Sequence, residues 1–223
     1  MSAQPVFTES MREKLAGVST ATLTTVLLKR GLRNVFISDL KMINPAAPRM
    51  VGPAYTLRYI PSREDLDHPG VFDDRGHPQR RAVEECPPGH VFVIDSRKDH
   101  RAASAGGILV ARMYKRGVAG IVTDGGFRDS PDIAELPFPV YHVAPAAPTN
   151  LIRHHAMDLN VPIGCGDVPV YPGDVIVGDA EGVVVIPAGI AAEVTDEAFE
   201  QTVFEDFVQE QVMAGRGIFG ISP

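Results

Sequence analysis

The sequence predicts an α/β protein built on a partly parallel sheet, and three observations carry that reading. Short apolar runs at 91–95, 118–123 and 138–143 read as strands, with a helical segment at 107–116 between the first two. That order is a parallel strand pair joined by a helical crossover. Two Pro-Gly turns feed similar strands, Pro88-Gly89-His90-Val91-Phe92-Val93-Ile94-Asp95 and Pro172-Gly173-Asp174-Val175-Ile176-Val177-Gly178-Asp179. The echo is too short to establish a duplication, but it marks two similarly built β elements. Finally, Ile190, Val194, Ala198, Val203, Phe207 and Val212 recur every four or five residues, which predicts a C-terminal helix ended by Gly215.

The remaining elements follow from local signals. Between Met11 and Leu32 the apolar positions suit a helix; Ser19 or Thr20 caps it, it runs to Lys29, and Gly31 stops it. Pro45, Pro48, Gly52 and Pro53 mark turns around short strands, and Ala54–Tyr59 alternates as a strand does. Ser62–His77 is polar and carries Pro69, Gly70 and Gly76, so it reads as a loop. Gln79–Cys86 reads as a short helix. Val183–Ile186 closes a hairpin with the second echo strand, and the apolar tail Ile218–Ile221 suits packing on a neighbouring subunit or on its own domain.

Composition narrows the function classes. The chain has 223 residues, 44% hydrophobic and 22% charged, enough for a substantial core in one large or two small domains. No apolar run approaches the roughly 20 residues that span a bilayer, and Met1–Met11 lacks an apolar signal core. Two cysteines, Cys86 and Cys165, read as free thiols in a reducing compartment, so the expected location is the cytoplasm, with no membrane partner. A net charge of −7 and no long basic stripe argue against nucleic-acid binding. Arg75, Arg80 and Arg81 lie among Asp73, Asp74, Glu84 and Glu85 and read as a mixed, solvated surface.

The most informative stretch runs from Gly106 to Asp129. A glycine pair opens a helix, a short strand follows, and the turn Asp124-Gly125-Gly126-Phe127 presents Arg128 beside Asp129. Amides at a helix start attract an anion; a guanidinium binds a carboxylate or enolate oxygen, and a carboxylate can hold a divalent ion. Loops 96–106 and 124–131 both leave the carboxyl ends of parallel strands, where ligands gather. The plainer alternative is a glycine turn carrying a surface ion pair. Weaker candidates are His142, at a strand end; Asp95, Asp99 and His100, in the loop before the glycine pair; the adjacent His154 and His155, which on a helix diverge by about 100°; and Ser104, which suits a helix cap. There is no P-loop, no dinucleotide Gly-x-Gly-x-x-Gly and no Gly-x-Ser-x-Gly elbow.

Taken together, Ser19-Thr20-Ala21-Thr22-Leu23, Val51-Gly52-Pro53-Ala54, Gly117-Val118-Ala119-Gly120 through Arg128-Asp129, and Pro172-Gly173-Asp174 to Pro187 resemble the RraA-like family. That family holds regulators of ribonuclease activity and class II 4-hydroxy-4-methyl-2-oxoglutarate aldolases. The resemblance covers most of the chain and implies one swivelling β/β/α domain over 1–223, assembled as a homotrimer or homohexamer. It implies a lyase acting on a small 2-oxo acid, by retro-aldol cleavage or oxaloacetate-type decarboxylation, with Mg²⁺ or Mn²⁺. By resemblance Arg128 stabilises a pyruvate enolate, Asp129 holds the metal, and amides of Gly106, Gly107, Ile108 and Leu109 hold the substrate carboxylate. Glu205 of a neighbouring copy completes the site, with Glu210 as the alternative. One departure stands out: the aldolases carry an acidic residue where this chain has Gly107. A non-catalytic regulator, or a related lyase or isomerase of sugar-acid or aromatic catabolism, are the other readings. A methyltransferase reading finds no glycine-rich site for S-adenosylmethionine.

Overall fold

The computed structural model describes residues 6–221; the first five residues of the polar N-terminal segment lie outside it. Two helices open the chain, α1 (Glu9–Ala16) and α2 (Thr20–Lys29). The Ser19 side chain caps α2 by accepting from Thr22 N at 3.0 Å, and the helix stops before Gly31, whose φ of +84° suits a residue without a Cβ. Strands β1 (Phe36–Ile37) and β2 (Lys41–Met42) lead to the long β3 (Met50–Pro61), which contains the alternating 54–59 segment. The 62–77 stretch is mostly irregular, with a 3₁₀ turn at Pro69–Asp73, and is followed by α3 (Pro78–Glu85) and β4 (Val91–Asp95). Next come β5 (Ala103–Ala105), α4 (Gly107–Lys115), β6 (Gly120–Thr123), β7 (Gly126–Phe127), α5 (Ser130–Ala134), β8 (Val140–His142) and β9 (Ala144–Pro145). The chain ends with β10 (His154–Leu159), β11 (Ile163–Cys165), β12 (Val168–Val170), the hairpin β13 (Val175–Gly178) and β14 (Val183–Ile186), and α6 (Ala191–Met213).

The main sheet runs β1-β14-β13-β3-β4-β6-β8-β2, and β10 also pairs with β3. Only β3, β4, β6 and β8 are mutually parallel; the other pairings are antiparallel. The sheet is therefore mixed, not mainly parallel as the βαβ pattern alone suggests. The two echo strands flank β3: β13 meets it antiparallel with Val175 opposite Pro53, and β4 meets it parallel with Val91 opposite Ala54. Gly89 and Gly173 both sit at positive φ in the feeding turns.

Side-chain alternation shows how the sheet is covered. On β4, Phe92 and Ile94 join Tyr55, Leu57 and Tyr59 of β3 in a core with Val110 and Met113 of α4 and Ala82 and Val83 of α3. Val91 and Val93 point the other way, into a core with Ile176, Val183, Val185 and the β11–β12 hairpin. Val175, Val177, Val184 and Ile186 face Leu23, Val26 and Leu27 of α2 and Val194 and Ala198 of α6. Period-two patterning thus places opposite faces of single strands in different cores. Cys86 and Cys165 are free, as the sequence predicts, and both are buried. Among the described residues, no helix is long and apolar enough to cross a membrane.

Candidate functional site

A second, three-stranded sheet, β5-β7-β9, positions the site. These strands follow β4, β6 and β8 respectively, so the sheet stands beyond the carboxyl ends of the parallel strands. Both of its pairings are parallel, and flanking backbone bonds fix the loops around it: Arg128 N donates to Ala105 O at 3.2 Å, Ala146 N to Phe127 O at 2.9 Å, and Ala103 N to Pro148 O at 2.8 Å. Beneath it, the buried hydroxyls of Ser96, Ser104 and Thr123 bond to one another at 2.7–3.1 Å, and Gly125 N donates to Thr123 Oγ1. Ser104 therefore belongs to this network and does not cap α4, whose N-cap residue is Gly106.

The glycine pair and the Arg-Asp pair meet as the spacing predicts. A Cβ on Gly106 would lie 2.9 Å from both Arg128 Cγ and Asp129 Oδ2, so a side chain there would push the Arg128 and Asp129 side chains out of this arrangement. Asp129 holds a left-handed conformation (φ 58°) and turns its carboxylate back onto α4, where Oδ2 accepts the Gly107 amide at 3.0 Å. Its Oδ1 lies 3.6 Å from Arg128 Nε, both side chains being partly exposed. Leu109 N donates to Gly106 O at 3.1 Å. Two helix-start amides expected to hold a ligand are thus engaged within the chain, and the Ile108 amide between them takes part in neither bond.

These groups wall a cavity of about 210 Å³ that contains Gly106, Ile108, Leu109, Arg128 and Asp129. Phe72, Gln79, Arg80 and Asn150 are among the further residues that line it. Arg80 is thus part of the cavity, not of the solvated surface its neighbours suggest; its guanidinium carbon lies 4.6 Å from the Phe72 ring centroid. Gln79 is buried and donates to Tyr59 Oη and Ser104 O. No sequence signal singles out Phe72 or Asn150. Both depend on how the 62–77 and 146–150 segments fold back over β5.

The weaker candidates stand apart from this cavity. His154 and His155 lie on β10, not on a helix, so their side chains leave opposite faces. His154 is buried and stacks on Tyr59 at 5.1 Å, and His155 bonds to Asp67 at 2.8 Å. His142 is buried against Phe127, and burial lowers its pKa to about 4. Asp99 is held by Arg101, which lowers its pKa. Asp95 accepts from Arg97 N, and burial raises its pKa. Glu205, on α6, accepts from Thr22 Oγ1 at 2.7 Å and from Gln201 at 3.0 Å within its own chain. A larger cleft, about 760 Å³, opens beside Lys98 and Asp124, but Lys98 pairs with Asp167 and Asp124 accepts the amides of Ser96, Lys98 and Gly166. Among the described residues, no group of three His, Cys, Asp or Glu side chains gathers to hold a metal.

A partly parallel sheet with a glycine-opened helix facing an Arg-Asp turn defines the class, and comparison with known proteins gives the family. The RraA-like profile, described as Aldolase/RraA, matches residues 20–185, and the chain belongs to that family. A Halalkalibacterium halodurans protein provisionally named 4-hydroxy-4-methyl-2-oxoglutarate aldolase is 37% identical over 172 residues, 75% of this chain and 73% of that protein. A Thermus thermophilus protein named 4-hydroxy-4-methyl-2-oxoglutarate aldolase is 30% identical over 117 residues, 52% of this chain and 70% of that one. In structure, a Streptomyces coelicolor member of the RNase ES inhibitor RraA protein family superposes with a TM-score of 0.79 at 29% identity, covering 91% of this chain and 97% of that one. The relatives' names point to a lyase, and the family also contains ribonuclease inhibitors.

Proposed function

We propose that this chain is a divalent-metal-dependent lyase acting on a small 2-oxo acid through a pyruvate enolate. The observation that carries the reading is Arg128, set in the cavity wall between the start of α4 and the Asp129 carboxylate. The donor set fits a hydrated ion: one cavity carboxylate suits Mg²⁺ or Mn²⁺ that keeps most of its waters, with Asp129 as the anchor. When bound, the ion would supply Lewis-acid polarisation of the 2-oxo group.

The chain's own residues account for the rest. The substrate carboxylate lies against the positive end of α4, where the Ile108 amide is the donor not taken by Asp129 or Gly106. Arg128 faces the 2-oxo oxygen and stabilises the negative charge that grows there. In oxaloacetate-type decarboxylation the C3–C4 bond breaks, its electron pair becomes the C2–C3 double bond of the enolate, and carbon dioxide leaves. C3 then takes a proton to give pyruvate. Retro-aldol cleavage also needs a base for the C4 hydroxyl, and Gly107 supplies none, so decarboxylation is the better-supported reaction. Glu205 would act from a neighbouring copy in a homotrimer or homohexamer. The exposed Val203, Phe204, Met213 and Phe219 on α6 and the tail support such an assembly, and light scattering showing a monomer at micromolar concentration would count against it.

The test is oxaloacetate turnover with Mg²⁺ or Mn²⁺ and after chelation. Metal-stimulated release of pyruvate that chelator abolishes is expected. Absence of any metal-stimulated turnover refutes the lyase reading and leaves a non-catalytic regulator, which the likeness to a ribonuclease inhibitor favours.

A further inference from the structure

The segment 62–77 is docked on the protein by polar groups. Only two of its residues, Asp67 and His77, are buried, and both are ionisable. At its start Ser62 N donates to Arg153 O at 3.1 Å. Asp67 then accepts Arg63 N on Oδ2 and His155 Nδ1 of β10 on Oδ1, each at 2.8 Å. At its end His77 is the N-cap residue of α3 and is 8% exposed. Its Nδ1 is shielded from solvent and unbonded. Between these anchors, and among the described residues, the hydrogen bonds of 68–76 all stay within 68–77. Phe72 ties this stretch to the cavity wall. Its ring lies 4.6 Å from the Arg80 guanidinium carbon and meets the His77 ring edge-on at 6.5 Å.

We infer that residues 62–77 form a strap whose outer part, 68–77, stays on the cavity only while His77 is uncharged, so that proton binding at His77 releases Phe72 from the cavity wall. Four groups face the imidazole: Arg80 of α3, His155 of β10, and Asp67 and Asp74 of the strap itself. Asp67 and Asp74 favour a charged ring, and Arg80 and His155 oppose it. Burial is the largest influence, with Arg80 next, and the His77 pKa is held below the ordinary histidine value. Position acts the same way, because an imidazolium at the start of α3 meets the positive end of the helix dipole. A charged ring also carries a proton on both nitrogens, so Nδ1 becomes a buried donor with no acceptor. The Phe72 ring offers little compensation, since Arg80 already lies against it. The released strap therefore binds the proton more tightly than the docked one. Docking is complete above about pH 6.5 and weakens as pH falls through the lowered His77 value. The first anchor is spared: the Asp67 carboxylate accepts from His155 Nδ1–H whether or not that ring carries a second proton. The strap does not depend on which reaction the cavity carries out.

The chain contains no tryptophan, so Phe72→Trp places a single fluorescent reporter in the cavity wall, and its ring still offers Arg80 an aromatic face. Acrylamide quenching of that reporter is measured from about pH 7.5 to about pH 5.5, across the ordinary histidine value, with far-UV circular dichroism on the same samples. Quenching is expected to rise severalfold on acidification while the dichroism stays unchanged. The open fraction grows by up to about tenfold for each pH unit between the free and docked His77 values. His77→Gln and His77→Phe, each combined with Phe72→Trp, cannot bind the proton and should keep low quenching at both ends of the range. Hydrogen exchange in the unaltered protein, corrected for the intrinsic rate at each pH, decides the matter where tryptophan itself disturbs the packing. Protection should fall over 68–77 and hold over β4, β6 and β8, the last carrying His142 and so reporting any general loss of stability. Quenching and exchange that both ignore pH overturn the inference. So does a rise that persists in both His77 variants, which assigns it to another group. A strap open at both pH values in both variants leaves His77 a packing role alone and overturns it as well.

Discussion

Replacing Arg128 by alanine separates chemistry from structure more cleanly than any other change in this chain. The Arg128 side chain is 45% exposed, and its ion pair with Asp129 is a 3.6 Å approach between partly exposed groups. Pairs of this kind contribute about 0–1 kcal/mol. The backbone bond from Arg128 N to Ala105 O, which holds the turn to β5, survives the substitution. The folding cost is therefore small, within about 1 kcal/mol, a shift of a few degrees in the unfolding midpoint for a chain of this length. Enolate stabilisation is a different quantity. Removing one fixed donor from a developing oxyanion typically costs about 3–4 kcal/mol, roughly 10²–10³ in rate. The assay is metal-dependent pyruvate release from oxaloacetate, coupled to lactate dehydrogenase, with thermal unfolding on the same sample. Arg128→Ala should lose two to three orders of magnitude in kcat/KM while unfolding nearly as the parent does; Arg128→Lys should recover a fraction, because charge without the planar fork fits an enolate less well. Parent-like turnover in Arg128→Ala refutes the mechanism outright.

Three further outcomes test the surrounding design. Gly107→Asp places a Cβ 3.1 Å from Asp129 Cβ, a contact that a small shift relieves, and sets a second carboxylate beside the first; tighter Mg²⁺ binding and a gain in retro-aldol cleavage are expected, and no change in either would show that the missing acid is not what limits the site. Asp129→Asn keeps an acceptor for the Gly107 amide and tolerates the left-handed backbone, so metal stimulation should vanish with little loss of stability; Asp129→Ala should lose both, the fold by about 1–2 kcal/mol from the missing cap and the strained φ. His142 is buried with a pKa lowered to about 4. Its unfolded value is near 6.5, so the unfolded state binds the extra proton first. Stability is full above about pH 6.5 and falls as pH drops toward 4, by up to about 3 kcal/mol from this residue. His142→Phe should flatten that slope in urea melts at pH 4.5 and 7, and an unchanged slope would show that His142 does not carry it.

The fold was legible wherever a local rule and a tertiary need coincide. Ser19 and Gly31 mark α2, and the recurrence of apolar residues every four or five positions marks α6, because caps and apolar spacing act within one element. The Pro-Gly turns mark β4 and β13 for the same reason. Strand direction was less legible. Val91–Asp95 and Val175–Gly178 read alike, yet one lies parallel to β3 and the other antiparallel, because direction depends on the connection between strands and not on the strand's own residues. β10 was missed: His154–Leu159 alternates polar and apolar only weakly, and what orders it is its pairing with Leu57–Pro61.

The two halves of the cavity differ in how far the sequence reveals them, and the reason is geometric. Gly106, Gly107, Arg128 and Asp129 come from two loops that must emerge side by side, since they end adjacent parallel strands; spacing along the chain therefore implies closeness in space. Arg80, Phe72 and Asn150 have no such constraint. In the sequence Arg80 is one of three arginines among four acids, with Glu84 at the helical spacing that usually neutralises it. Only the structure shows Glu84 drawn off by Arg112 at 2.8 Å, leaving Arg80 to face the cavity against Phe72. The same competition explains Asn150, whose oxygen is taken by a neighbour while its nitrogen is left over. Charge-balanced sequence can thus hide a charge-unbalanced pocket. Here the imbalance falls in the cavity that Arg128 also lines.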